Sequence, residues 1–326
     1  MKSIDMNLQQ LEYILAVDQY RHFAKAADHC HVTQPTLSMM INKLEDELGV
    51  LIFDRSRHPV VPTQDGTEIL NQARRVLAEA NRMKQIVTDF NGEVRGELKL
   101  GVIPTVAPFL LPLFLNDFLQ QYPNLKLSIS EYTTEIIVEK LKNGELDAGI
   151  LATPLHIESI KEIPIYNEEF LVYAGGKEDL IRKKYVIPKD IDLKRLWLLE
   201  EGHCLRSQII NLCELKKQGN YMANLNYEVG SIDTLKRLVD SNNGITILPE
   251  LAVIDFPEES RKGIHYFEPP VPVREISIVT YRQFVKQRLV EILRSEISKK
   301  IKPLVGQSES FRIIEINPST PDKKSV

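Results

Sequence analysis

Residues 23–49, FAKAADHCHVTQPTLSMMINKLEDELG, decide how the N-terminal part of this chain folds. Ala24, Ala26 and Ala27 predict a helix slim enough for close packing, and His31 to Gln34 form a short break. Leu37, Ile41, Leu44 and Leu48 then recur at helical spacing, with Thr33 as N-cap, Pro35 in the first turn and Gly49 past the end. Helix, tight break and helix together make a helix-turn-helix, whose last helix sets its N-terminal turns in the DNA major groove. The face it offers for base reading is Gln34, Pro35, Thr36, Ser38, Met39, Asn42 and Lys43. Upstream, Leu8, Leu11, Ile14 and Leu15 predict one more helix; downstream, Leu51 to Arg55 and Pro59 to Pro62 are β-rich and suit a hairpin wing. Arg21, His22, Lys25, Arg55 and Arg57 flank the reading helix and are the candidates for phosphate contacts. Residues 1–62 carry six Lys/Arg against eight Asp/Glu, so Glu45, Asp46 and Glu47 must face away from DNA.

Thr63 reads as the cap of a long helix. Ile69, Ala73, Val76, Ala80, Met83, Val87 and Phe90 alternate along it at four and three, a heptad seam that suits a dimer coiled coil; packing on its own domain is the alternative. Residues 1–63 are thus a DNA-binding domain and 64–92 a dimerising linker helix. From Glu97 strands and helices alternate. Strands are predicted at Leu98 to Val102, Leu125 to Ser130, Ala148 to Leu151, Phe170 to Ala174, Trp197 to Glu200, Tyr227 to Val229, Ile245 to Leu248 and Glu275 to Tyr281. Helices are predicted at Leu111 to Gln121, Glu135 to Asn143, Leu205 to Lys217, Ile232 to Ser241 and Gln283 to Lys299. That rhythm predicts an α/β domain of two lobes over 93–302, with the last strand and helix returning to the first lobe. Residues 303–326, rich in Ser, Pro and Lys, read as an unstructured tail.

The composition is that of an ordinary globular chain: 326 residues, 43% hydrophobic, 26% charged, 7% aromatic, net charge −4. Val106 to Leu115, broken by Pro108 and Pro112, is too short to span a membrane, and the N-terminus lacks a signal-peptide core, so a cytoplasmic protein is expected. Three cysteines, Cys30, Cys204 and Cys213, do not make a secreted disulfide framework. His22, His29, Cys30 and His31 match no usual zinc spacing, and no glycine-rich nucleotide loop occurs, so neither metal nor cofactor is expected. The pair Gly175-Gly176 reads as a turn.

The run from Leu11 to Arg55 and the VPTQDG at Val61 to Gly66 resemble the LysR-type transcriptional regulators, the core A-A-x-x-x-x-V-T-Q-P-T-L-S standing here at Ala26 to Ser38. The resemblance covers about residues 7–300. It implies a winged helix-turn-helix domain, all-α apart from its wing, joined by a long dimerising helix to a two-lobed α/β effector domain of the periplasmic-binding-protein type. It further implies double-stranded DNA as partner, a homodimer or tetramer, and RNA polymerase as the machinery addressed.

The sharpest chemical feature is EGHCLRSQ at Glu201 to Gln208, with Cys213 beyond. Gly202 ends a loop, which puts Cys204 at a helix N-terminus, where the dipole, His203 and Arg206 favour a thiolate. Such a thiolate attacks peroxide to give a sulfenic acid that a second cysteine can resolve, and Cys213 is the candidate. On one intact helix the two Cα atoms lie roughly 13 Å apart, whereas a disulfide needs about 5.5 Å. Bond formation must therefore rearrange the segment. Two inert buried cysteines are the alternative.

LLEEGHCLRSQ at Leu198 to Gln208, IPTVAPFLLP at Ile103 to Pro112 and GITILPELAV at Gly244 to Val253 resemble the hydrogen-peroxide-sensing members of the same family. That likeness implies Cys204 as the peroxidatic and Cys213 as the resolving residue. It assigns the peroxide pocket to Thr105, Thr134 and His203, with Arg206 and Arg274 as supporting cations and a cellular thiol reductant as the resetting partner. Thr105 and Thr134 otherwise serve as helix caps, and Thr133 is an alternative to Thr134. Ser207 stands where the family commonly has aspartate. A regulator answering to a non-covalent metabolite and a thiol peroxidase with a DNA module are the competing functions; stoichiometric sensing rather than enzymatic turnover is expected.

Overall fold

The computed structural model describes residues 6–89, 94–175, 185–200, 204–213, 230–281, 286–306 and 308–316. The chain forms two compact units, the first Met1–Glu93 with Lys142–Glu145 and the second Val94–Leu141 with Leu146–Val326.

In the first unit α1 (Leu8–Tyr20), α2 (Phe23–His29) and α3 (Gln34–Leu48) pack around Ile14, Val17, Ala26, Leu37, Ile41 and Leu44, all fully buried. Each helix starts on a side-chain cap: Asn7 forms a reciprocal box with Gln10, His22 accepts from Ala24, and Thr33 accepts from Thr36. Gly49 closes α3 at φ 73°, a left-handed conformation that favours glycine. The wing is smaller than the two β-rich runs predicted. Only β1 (Phe53–Asp54) and β2 (Val61–Pro62) pair, because Pro59 and the turn residues between them leave few backbone groups to ladder. The linker helix α4 spans Gln64–Asp89. A Cβ at Gly66 would collide with the Ile52 carbonyl, so the VPTQDG glycine is what lets α4 start against the wing. The first part of the heptad seam is spent within the unit, with Ala73 buried and Ile69 and Val76 packed on the same core. Met83, Val87 and Phe90 lie outside the described side chains.

In the second unit the elements are β3 (Gly96–Val102), α5 (Ala107–Gln121), β4 (Leu125–Glu131), α6 (Thr134–Lys142), β5 (Ala148–Thr153), β6 (Ile160–Ala174) and β7 (Tyr185–Val186). There follow α7 (Cys204–Leu212), α8 (Ile232–Ser241), β8 (Ile245–Pro249), α9 (Glu258–Arg261), β9 (Ile264–Phe267), β10 (Val271–Tyr281), α10 (Gln287–Ile301) and β11 (Phe311–Ile313). The strands run in the order β4-β3-β5-β10-β6-β9-β7, with β8 also on β6 and β11 also on β10. β3 is parallel to β4 and β5, and β6 crosses antiparallel from β10 to β8 and β9. β6 thereby joins two lobes, each with its own apolar core.

Four expectations need correction. Trp197 to Glu200 is not a ladder strand: Trp197 only donates its N–H to the Ile245 carbonyl and accepts from the Thr246 hydroxyl. β6 begins ten residues before the Phe170 start expected, because Pro164 and the register shift opposite Ile276 and Ser277 hide its periodicity. α10 begins at Gln287 with Lys286 as its N-cap, so the expected helix does not run through Lys286, and Gln283 lies outside the described residues. The tail is not wholly unstructured, since Phe311–Ile313 add a parallel strand beside Val271–Val273 and Ile314 and Ile316 are buried. Tyr227 to Val229, Gly176 and the run past Cys213 lie outside the described residues.

Candidate functional site

α7 starts at Cys204, as its sequence predicts, and its side chains serve two cores. Cys204 packs into the core of the first lobe, while Leu205, Ile209 and Leu212 fill that of the second. The Cys204 Sγ lies 2.5 Å from the Oγ1 of Thr134, which opens α6 and is itself buried. Of the two threonines the sequence offered, geometry brings Thr134 to the sulfur. Thr133 instead accepts the Ile137 N–H on its carbonyl.

Behind this pair runs a buried ionic chain. Arg274, in the middle of the β-ladder, is 1% exposed and donates its Nε to Glu168 Oε1 at 2.7 Å. Its terminal nitrogens donate to the Thr105 hydroxyl at 3.2 Å and the Thr105 carbonyl at 3.1 Å. Glu168, opposite Arg274 on β6, accepts the Leu251 N–H with its second oxygen. The Arg274 fork thus fixes the IPTV turn that carries Thr105. Sequence reasoning found Arg274 and Thr105 but missed Glu168, which sits between Asn167 and Glu169 and meets Arg274 only through the pairing of β6 with β10.

The thiol's electrostatics differ from expectation. Burial pushes Cys204 up to about 11, outweighing the Thr134 hydrogen bond and the Arg274 charge, which both favour the thiolate; Glu135 opposes them. The Arg206 guanidinium donates to the Leu199 carbonyl at 2.8 Å. His203 lies outside the described residues. Cys213, half-buried against the second-lobe core, is pushed up to about 12 by burial alone. The Cys213 N–H donates to the Ile209 carbonyl at 3.0 Å, so the helical path is unbroken from one cysteine to the other. At 1.5 Å per residue the two Cα atoms stand roughly 13 Å apart.

In the first unit Gln34, Pro35, Thr36, Met39, Asn42 and Lys43 are exposed on α3, and Ser38 is partly so. Several of the flanking cations have structural duties. Arg55 binds buried Glu45 at 2.7 Å, donates to Ser38 at 3.4 Å and covers the Phe23 ring. Glu45 in turn accepts the Ile52 and Phe53 N–H groups, tying α3 to the wing. Arg21 pairs with Asp18, Arg57 with Asp54, and His22 caps α2. Lys25 is exposed beside that cap.

The comparisons with known proteins agree with this architecture. Residues 8–67 match the bacterial regulatory helix-turn-helix protein, lysR family, and residues 91–300 match the LysR substrate binding domain. The hydrogen peroxide-inducible genes activator of Haemophilus influenzae is 35% identical over 302 residues, covering 92% of this chain and 99% of that protein. The DNA-binding transcriptional dual regulator OxyR of Escherichia coli is 37% identical over 276 residues, 84% of this chain and 89% of that one. A cysteine variant of full-length OxyR from Pseudomonas aeruginosa superposes with TM-score 0.73 at 33% identity, over 90% of this chain and 98% of the other. The chain therefore belongs to the LysR family of bacterial transcriptional regulators and, within it, to the OxyR group.

Proposed function

We propose that the chain is a DNA-binding regulator that senses hydrogen peroxide through Cys204 and switches by forming a Cys204–Cys213 disulfide. The observation that carries this reading is the position of Cys204: first residue of α7, bonded to Thr134, on one helical path with Cys213. The relatives named for peroxide-inducible activation, and a peroxide-bound OxyR variant from Corynebacterium glutamicum at TM-score 0.59 and 27% identity, support the same ligand.

In the resting protein the thiol is neutral, held so by burial. Peroxide held by the Thr105 and Thr134 hydroxyls and His203 meets the sulfur as it loses its proton, with the Arg274 charge favouring the anion. The thiolate attacks one peroxide oxygen and the O–O bond breaks. The departing hydroxide takes up the thiol's proton and leaves as water, and Cys204 becomes a sulfenic acid. Cys213 then attacks that sulfur; its proton and the sulfenic hydroxyl leave as a second water. The two sulfurs have supplied the two electrons. A Cα separation of about 5.5 Å is out of reach while α7 is wound, so the second step unwinds the helix and turns an oxidation into a conformational change. A cellular dithiol resets it. The output is a changed spacing of paired reading helices in a dimer or tetramer, read by RNA polymerase, and the reaction is stoichiometric sensing rather than enzymatic turnover.

Thiol mapping by intact-mass spectrometry tests this, after one equivalent of peroxide on the reduced protein and on Cys204→Ser and Cys213→Ser. Loss of two hydrogens confined to Cys204 and Cys213, followed by an altered DNA footprint, is the expected result. Unreacted thiols would overturn it in favour of a metabolite-responsive regulator.

A further inference from the structure

The C-terminal segment crosses back over the switch helix. β11 lies parallel to the start of β10, and Ile314 continues the ladder by donating to the Val273 carbonyl at 2.9 Å. From the other side two side chains of α7 reach the same segment. Gln208, fully buried, donates its Nε2 to the Ile314 carbonyl at 2.8 Å, and Asn211 donates its Nδ2 to the Glu315 carbonyl at 2.9 Å. The segment also divides its apolar side chains between the lobes. Ile314 packs into the core that holds Leu205, Ile209 and Leu212, and Ile316 into the core that holds Cys204.

This double grip depends on α7 being wound. Residues three apart on a helix stand about 5–6 Å apart on one face, which lets Gln208 and Asn211 reach the successive carbonyls of Ile314 and Glu315 just past β11. Three residues of unwound chain stretch to about 10 Å, and the pair of contacts is lost. We propose that residues 311–316 form a strap, gripped by Gln208 and Asn211 as positioning residues, that keeps α7 wound and so holds Cys213 away from Cys204. The strap opposes the resolving step and sets how readily the sensor commits once Cys204 is oxidised. By linkage, forming the disulfide releases the strap. This inference rests on the disulfide switch proposed above.

The test uses the full chain, a truncation ending at Gly306, and a Gln208→Met/Asn211→Ala variant that keeps the tail and most of the core volume. Disulfide formation is timed from the sulfenic acid stage by quenching with an alkylating reagent and mapping thiols by mass. Loss of two hydrogen bonds of ordinary net strength predicts at least tenfold faster closure, about, in the double variant, and a larger gain in the truncation. The same tenfold in the equilibrium constant makes the reduction potential about 30 mV more negative. A synthetic peptide of residues 308–316 added to the truncation should slow closure again. In the parent protein, amide exchange at 311–316 should rise on oxidation. Unchanged closure and potential in both variants, with a parent disulfide that forms normally, would overturn the strap and leave the switch standing. No disulfide in the parent would overturn the switch itself and the strap with it. The double variant keeps the question open to decision if the truncation fails to fold.

Discussion

The Thr134 hydroxyl lies 2.5 Å from the Cys204 sulfur, and both residues are buried. A hydroxyl so placed accepts from the neutral thiol and, after a rotation about its C–O bond, donates to the thiolate. Thr134→Val keeps the shape and removes that donor. Hydrogen bonds to a charged group contribute about 1.5–3 kcal/mol, so sulfenic acid formation should slow on the order of tenfold or more, with Thr134→Ser retaining most of the rate. Stopped-flow oxidation with a sulfenic-acid trap reads this directly, and a Val variant as fast as its parent would remove Thr134 from the chemistry.

The reactivity of Cys204 should keep rising with pH well beyond the range of an ordinary thiol. Burial raises the group to about 11, against 9.0 for an ordinary thiol. The neutral thiol is then the form the fold prefers, so its stabilising contribution is complete below pH 9 and is lost as pH climbs toward 11. In a protein with Cys30 and Cys213 replaced by Ser, the iodoacetamide alkylation rate of Cys204 should still be increasing at pH 9.5. A plateau below pH 8 would mean that the thiolate is already formed in the resting state.

What the sequence made legible follows a physical division. The helix-turn-helix could be read because capping and amphipathic spacing are local: Thr33, Pro35 and Gly49 mark the ends of α3 where the structure has them. Cys204 could be placed at a helix start for the same reason. The buried partners could not, because Glu168 and Arg274 are 106 residues apart and meet only through the antiparallel register of β6 on β10. The strand at Phe311–Ile313 was missed because three residues have no readable period, and a parallel neighbour supplied what composition denied. The thiol's raised pKa was missed because helix dipoles can be inferred from sequence, whereas desolvation depends on which side chains close over the site.

Arg274 and Glu168 are 1% and 0% exposed, and removing one partner leaves the other charged and buried. Arg274→Met should therefore destabilise the second unit by about 3–5 kcal/mol, seen as a lower urea midpoint. Pairing it with Glu168→Met should recover much of that loss, because two apolar side chains replace two compensated charges. Peroxide oxidation should stay slow in the double variant, since the charge favouring the thiolate and the fork holding Thr105 are both gone. Recovery of stability together with parent oxidation kinetics would show that the ion pair only holds the fold.

In the first unit the cations near α3 should separate into two kinds. Lys25 is exposed beside the cap of α2, whereas Arg55 is held by buried Glu45, Ser38 and the Phe23 ring. A phosphate contact is a counterion-release contact, so Lys25→Ala should weaken binding evenly across DNA sequences and reduce the salt slope by about one. Asn42→Ala, on the exposed face of α3, should instead relax preference at one base pair, by about 1–3 kcal/mol. Arg55→Ala should act through folding: it uncouples the wing from α3 by leaving Glu45 buried without its cation, lowering the melting temperature of the DNA-binding unit as well as affinity. Fluorescence-anisotropy titrations at several salt concentrations, alongside thermal melts, distinguish the three. An Arg55→Ala variant with parent stability and a reduced salt slope would make that arginine a phosphate contact after all.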